Sequence, residues 1–218
     1  MGKLLLDGAY LQNMKSNYLW ILDAGHGGVN SNGHYTTSPR KLFVFPDGLT
    51  IYEGVINRKI SHHVYTILIQ KEIDFALVYE DVDDTPLSQR VVIADNVYRK
   101  DKRAIYLSIH SNAGGGSGFE IFTSPGQTNS DKIANIFTDT YSMRFPIMKL
   151  RADKTDGDAD KEADFYVLRK TDCPALLVEN LFFDNRKEAE YLLSDYGQKE
   201  IAECIVQCIV NCEKLKPV

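Results

Sequence analysis

The chain has 218 residues, 44% of them hydrophobic and 25% charged, with a formal net charge of -5 at pH 7. That length supports one well-buried α/β-sized domain and is short for two, and the composition is that of an ordinary globular protein. The acidic balance leaves no basic surface to track a phosphate backbone, which removes nucleic acid as an expected partner. No apolar stretch is long enough to span a bilayer.

The N-terminus reads Met1-Gly2-Lys3-Leu4-Leu5-Leu6-Asp7, an apolar run far short of a signal-peptide core. The expected organisation is an N-terminal extension at 1–17 and a catalytic domain at 18–218, made without its own export signal or trimmed of one. The first strand signal, 18–23, leads directly into Asp23-Ala24-Gly25-His26-Gly27-Gly28. A long polar and aromatic loop at 30–50 follows, of the kind that forms rims and lids. Glu53 then precedes a helical stripe of Ile56, Ile60, Val64 and Ile67, so its side chain is expected to project from a helix start. An apolar run at 75–79 and a second stripe, Leu87, Val91, Ala94 and Tyr98, continue the alternation.

The run at 104–109 ends in Ser108-Ile109-His110-Ser111-Asn112. Gly114-Gly115-Gly116-Ser117-Gly118 lacks the Gly-Lys-Ser/Thr end of a phosphate loop and reads as a flexible turn. A strand at 119–123 carries Glu120, and a helix is expected over 130–141 with Ser130 as its cap. The acidic loop at 151–164 contains Asp156-Gly157-Asp158-Ala159-Asp160, which lacks the glycine and the terminal acid of an EF-hand. A last apolar run, 175–179, ends in Glu179-Asn180, and helices are expected at 186–193 and 197–215. Cys204, Cys208 and Cys212 fall on one face of the last helix. Their spacing suits neither a zinc turn nor a disulfide, so they and Cys173 are expected to be packed thiols.

Continuous apolar runs alternating with helices predict an α/β domain, its sheet mostly parallel and covered by helices on both faces. His26 and His110 both lie where buried strands end, which is where open α/β sheets place their chemistry. Two histidines and a carboxylate are a common catalytic zinc set with one position left open, and Glu53 fits as the third ligand. Glu179, ionisable at the end of an apolar strand, suits a proton carrier whose pKa burial tunes. His62 and His63 sit within a helical stripe and His34 in a loop with no matching strand end, so these three are left out.

Four segments together, Asp23 to Gly28, Glu53 to Asn57, Ser108 to Asn112 and 168–185 with its Glu179-Asn180, resemble the zinc-dependent N-acetylmuramoyl-L-alanine amidases of the Amidase_3 family. The resemblance implies a single α/β domain with a roughly six-stranded sheet. It also implies cleavage of the amide between N-acetylmuramic acid and the stem-peptide L-alanine of peptidoglycan. By motif position His26, Glu53 and His110 would be the zinc ligands and Glu179 the catalytic glutamate. Asn112, Glu120 and Asn180 are the substrate-binding candidates: the two asparagines would orient ligands or substrate from behind the metal ligands, and Glu120, at a position where family members often carry an acid, is read as a structural carboxylate ahead of a catalytic one. The expected protein is a monomer acting at the cell wall, in phage lysis or in bacterial remodelling. The departures from the family pattern are Val29-Asn30, which open the long loop, and a segment between Phe122 and Leu168 too short and polar for a blocking helix. Constitutive activity is expected in consequence. The competing readings are a zinc peptidase of stem peptides and a non-catalytic wall binder. The second is disfavoured because a binder has no need of Glu179.

Overall fold

All five apolar runs become strands of one sheet. The computed structural model describes residues 4–6, 9–12, 16–155 and 157–215. Parts of the N-terminal extension, Asp156 of the rejected calcium loop and residues 216–218 therefore lie outside the described residues. In chain order the strands are β1 (Leu4–Leu6), β2 (Ala9–Gln12), β3 (Leu19–Ala24), β4 (Leu42–Val44), β5 (Thr50–Tyr52), β6 (Asp74–Leu77), β7 (Ala104–Asn112), β8 (Phe119–Thr123), β9 (Lys161–Glu162) and β10 (Ala175–Phe182). The helices are α1 (Glu53–Gln70), α2 (Leu87–Lys100), α3 (Asn129–Arg144), α4 (Tyr166–Lys170), α5 (Arg186–Leu193) and α6 (Asp195–Cys212).

Among the described residues the sheet runs β1-β2-β6-β3-β7-β10-β8-β9. Its centre, β6-β3-β7-β10, is parallel throughout; β8 joins antiparallel and β9 parallel to β8. Those are the six strands of the expected domain. The extension adds the β1–β2 hairpin, antiparallel on the β6 edge.

Both faces of the central strands are apolar because both are covered. Trp20, Leu22, Ile105, Leu107, Leu176 and Val178 pack under α1, α3 and α6, while Leu19, Ile21, Ala76, Tyr106 and Leu177 pack under α2 and α4. From β3 the chain passes through α1 to β6 on one side, then through α2 to β7 on the other side of β3. Crossovers of one hand travelling in opposite directions place their helices on opposite faces. A crevice opens where the direction reverses, at the carboxyl ends of β3 and β7.

Several sequence expectations are corrected here. The loop at 30–50 is partly ordered: a 3-10 turn, Pro39–Lys41, leads into the antiparallel hairpin of β4 and β5. The acidic loop gives β9 to the sheet edge. The five-residue α4 was missed because a single turn is too short for periodicity to register. Thr128 caps α3, its hydroxyl accepting from Ser130 N at 3.0 Å while Asp131 accepts from Thr128 N at 2.6 Å. Ser130 instead lies inside the helix and accepts from Ala175 N at 3.0 Å, tying α3 to β10. The four cysteines are buried and free.

Candidate active site

The crevice is built first from backbone. Gly25 N donates to Ile109 O at 3.0 Å, carrying the β3–β7 ladder one residue past the strand. A Cβ on Gly25 would lie 2.1 Å from the His110 ring, so only glycine lets that imidazole lie against the β3 end. His26 then turns into the left-handed region, φ 67°, which is uncommon for a residue with a side chain. Arg90, fully buried on α2, holds that turn: its guanidinium donates to the carbonyls of Ala24 at 2.8 Å, His26 at 3.0 Å and Thr85 at 2.7 Å, and to Asp23. The second oxygen of Asp23 accepts from Tyr106 at 2.6 Å and Ser108 at 2.7 Å. Burial opposes ionisation of Asp23, but Arg90 and the two hydroxyls outweigh it and hold the carboxyl below its usual range. The neighbouring loops are clamped by Thr37, which accepts from Gly27 N at 2.5 Å and donates to Asp84 at 2.8 Å.

Glu53 is the first residue of α1, where a carboxylate is favoured by the helix dipole. Tyr52 provides no side-chain cap; Tyr35, from the 30–50 loop, accepts from Gly54 N at 3.0 Å instead. Helix start and His26 turn meet closely, since a Cβ on Gly54 would fall 2.0 Å from Gly27 O. Glu53 Oε1 consequently lies 3.0 Å from His110 Nδ1 and 3.2 Å from His26 Nε2. The three side chains offer ligand atoms all within 4.8 Å of one another. His26 Nε2 and Glu53 Oε2 are both buried without a hydrogen-bond partner. Orphaned polar atoms are costly in an interior, and a cation accepted by these donors would satisfy both. Burial alone would raise the Glu53 pKa, but the two histidines pull it well below the carboxylate range. Burial lowers the His26 pKa; it lowers that of His110 too, but Glu53 and Glu179 more than compensate and raise it.

Register fixes the remaining acid. His110 on β7 pairs with Glu179 on β10, and Glu179 pairs with Glu120 on β8, so the three share one face of the sheet. Glu179 Oε2 is buried without a hydrogen-bond partner. Burial chiefly, with Glu53 adding repulsion against the opposing pull of His110, pushes its pKa up to about 8. A carboxyl poised there suits proton transfer at neutral pH.

The other candidates part company. Asn180 follows Glu179 by one residue and so points to the opposite face, where it is fully buried: Oδ1 accepts from Tyr141 at 2.8 Å and Nδ2 donates to His110 O at 3.1 Å. It supports the His110 strand and does not face the crevice. Glu120 is held as a structural carboxylate would be: Arg151 at 2.9 Å and Lys161 at 2.7 Å hold one oxygen and Asn112 donates to the other. Asn112 itself is half-buried at the end of β7, on the face of His110. His62 pairs with Tyr65 and His63 approaches Asp195, both on the outer side of α1. Sequence reasoning missed Arg90, whose position on the α2 stripe between Leu87 and Ala94 was a signal. It also missed Lys41, at the end of the 3-10 turn, for which a polar loop gave none. Lys41, His26, His110, Thr37, Leu87 and Val167 line a cavity of about 380 Å³. Chemically, the arrangement offers a cation site with a free side, a neighbouring proton carrier and room for a substrate.

Comparison with known proteins agrees. The family model described as N-acetylmuramoyl-L-alanine amidase matches residues 21–211. The chain is 32% identical to the N-acetylmuramoyl-L-alanine amidase CwlM of Bacillus licheniformis over 84% of its own length and 63% of that protein. It is 30% identical to the endolysin of Bacillus phage SPP1 over 92% of its length and 68% of that protein. It therefore spans only about two thirds of these relatives. Among solved structures, the catalytic domain of CwlV, an N-acetylmuramoyl-L-alanine amidase from Bacillus (Paenibacillus) polymyxa var. colistinus, aligns with a TM-score of 0.66 at 26% identity, covering 89% of this chain and 97% of that one. Ami1 of Mycobacterium smegmatis shares the fold, with a TM-score of 0.73 at 19% identity over 91% of this chain and 97% of that one.

Proposed function

Because the chain belongs to the Amidase_3 family of N-acetylmuramoyl-L-alanine amidases, we propose that it hydrolyses the amide joining N-acetylmuramic acid to the L-alanine of the peptidoglycan stem. The observation that carries the reading is the convergence of His26, Glu53 and His110 beside Glu179. Two imidazoles and a carboxylate fit zinc by donor type. Zinc bound there supplies Lewis acidity, lowering the pKa of a water to about 7 and polarising a carbonyl.

The chain's own residues carry the protons. Glu179, ionised, takes a proton from the attacking water as the water oxygen bonds to the carbonyl carbon. When the carbon–nitrogen bond breaks, Glu179 returns that proton to the alanine nitrogen, leaving a lactyl carboxylic acid and a free stem peptide, whose amine takes up the proton as the acid ionises. Asn112, at the rim on the His110 face, orients the substrate. The protein acts at the cell wall as a monomer. It needs no release from autoinhibition, because the segment after β8 is spent on α3, on a bridge from Leu150 to Phe119 and on β9. No helix of the described residues is long and apolar enough to cross a membrane.

Digestion of purified peptidoglycan, followed by labelling of new amino groups, tests the reading. New N-terminal alanine from metal-loaded protein, absent after chelation, supports it; new amino groups on other residues alone would make the protein a peptidase.

A further inference from the structure

Lys41 is a cation at the reacting centre that the mechanism above does not use. Its Nζ lies 3.3 Å from Glu53 Oε2, and its side chain is 42% exposed, toward the cavity it lines together with His26 and His110. Its backbone is fixed: Lys41 N donates to Ser38 O at 3.0 Å at the end of the 3-10 turn, and β4 follows directly. Arg90 also reaches this cavity, but its guanidinium is consumed by Asp23, Asp84 and three backbone carbonyls. The ammonium of Lys41 has three donors and a flexible stem, and it faces Glu53 Oε2 at ion-pair distance without a hydrogen bond to it.

Charge decides what it does. Alone, Glu53 attracts Lys41. With a dication held by Glu53 and two neutral histidines, the ligand set is net positive, and the attraction is lost. A developing anion in the cavity then becomes the better partner for the ammonium.

We propose that Lys41 is a catalytic residue that donates a hydrogen bond to the scissile carbonyl oxygen as it becomes anionic. The inference rests on the amidase reading. Water oxygen bonds to the carbonyl carbon, the carbonyl π pair moves onto oxygen, and Lys41 shares its N–H with that oxygen. On collapse the pair returns, the carbon–nitrogen bond breaks, and the nitrogen takes its proton from Glu179. Lys41 keeps its own proton throughout. Removing one such donor typically costs about 10² to 10³ in kcat.

The test compares wild type, Lys41→Gln and Lys41→Arg on a soluble muropeptide, with zinc content measured on each. Affinity for a phosphonamidate that mimics the tetrahedral anion is measured by calorimetry. The expected result is full zinc occupancy in all three, kcat lowered about 100-fold in Lys41→Gln with KM within about threefold, and partial recovery in Lys41→Arg. Phosphonamidate affinity falls in parallel with kcat. Wild-type kcat in Lys41→Gln overturns the inference alone, as does activity lost in step with zinc, which would make Lys41 a support for Glu53. A metal-loaded wild type that releases no stem peptide overturns the amidase reading and this inference with it.

Discussion

Gly25 and His110 occupy one space: the imidazole fills the volume where a side chain on Gly25 would stand, with Cε1 2.1 Å from the missing Cβ. Gly25→Ala must therefore push His110 off its position relative to Glu53. Overpacking of this kind costs about 1–3 kcal/mol of stability, while a displacement near 1 Å can cost about 10² in rate. The expected outcome is a modest fall in melting temperature with a far larger loss of kcat and of zinc affinity. Equal zinc affinity in the variant would count against the close approach.

Asp23 and Arg90 form the buried pair under the His26 turn. Removing one partner from such a pair costs about 3–5 kcal/mol, whereas replacing both can be close to neutral. Asp23→Asn and Arg90→Met should each destabilise strongly, and the double variant by less than the sum, as read by urea denaturation. The double variant should still bind zinc poorly, because the carbonyls of Ala24 and His26 lose their donor. Additive single effects would show that the two groups do not act as a unit.

Asn180 supports the site from behind. Asn180→Leu leaves the Tyr141 hydroxyl unpaired and strips the His110 carbonyl of its side-chain donor, at a cost of about 1–3 kcal/mol. KM should change little, since the side chain faces away from the cavity. A large rise in KM without loss of stability would restore Asn180 as a substrate contact.

Glu179 gives the metal-free protein a pH dependence of definite sign. Its carboxyl is held up to about 8 in the folded chain, against about 4.3 for an unfolded glutamate. A raised carboxyl lends stability below the unfolded value that is progressively lost as pH rises to the folded one. After chelation, Glu179→Gln should therefore gain on wild type between about pH 4.3 and 8 and hold a constant advantage above that range. Thermal melts of both proteins at pH 5 and pH 8.5 check it; a difference independent of pH would place the Glu179 carboxyl in water.

The sheet was legible because its central strands are buried on both faces and read as unbroken apolar runs. His26 and His110 stood out for the same reason, as polar residues at the ends of those runs. What the sequence hid depends on tertiary contact. Asn180 was read with Glu179 because the two are adjacent, although strand alternation sends them to opposite faces. Lys41 lies in a polar stretch whose turn and hairpin form against α1 and the His26 segment, so nothing local marks it. Arg90 was hidden inside a stripe read only for its apolar members. Thr128 lost the cap of α3 to Ser130 in the reading because both suit the position, and the contact of Ser130 with Ala175 decides between them.

The central claim is that Glu179, beside the site formed by His26, Glu53 and His110, moves the proton that lets the sugar–peptide amide break. Mass spectrometry of muropeptides after digestion by zinc-loaded wild type and Glu179→Gln tests it most directly. The account predicts free stem peptides beginning with L-alanine from wild type, and a rate lowered at least about 100-fold in the variant at equal zinc content. Stems that stay attached to their sugars while cross-links are cut, or a variant as fast as wild type, would contradict it.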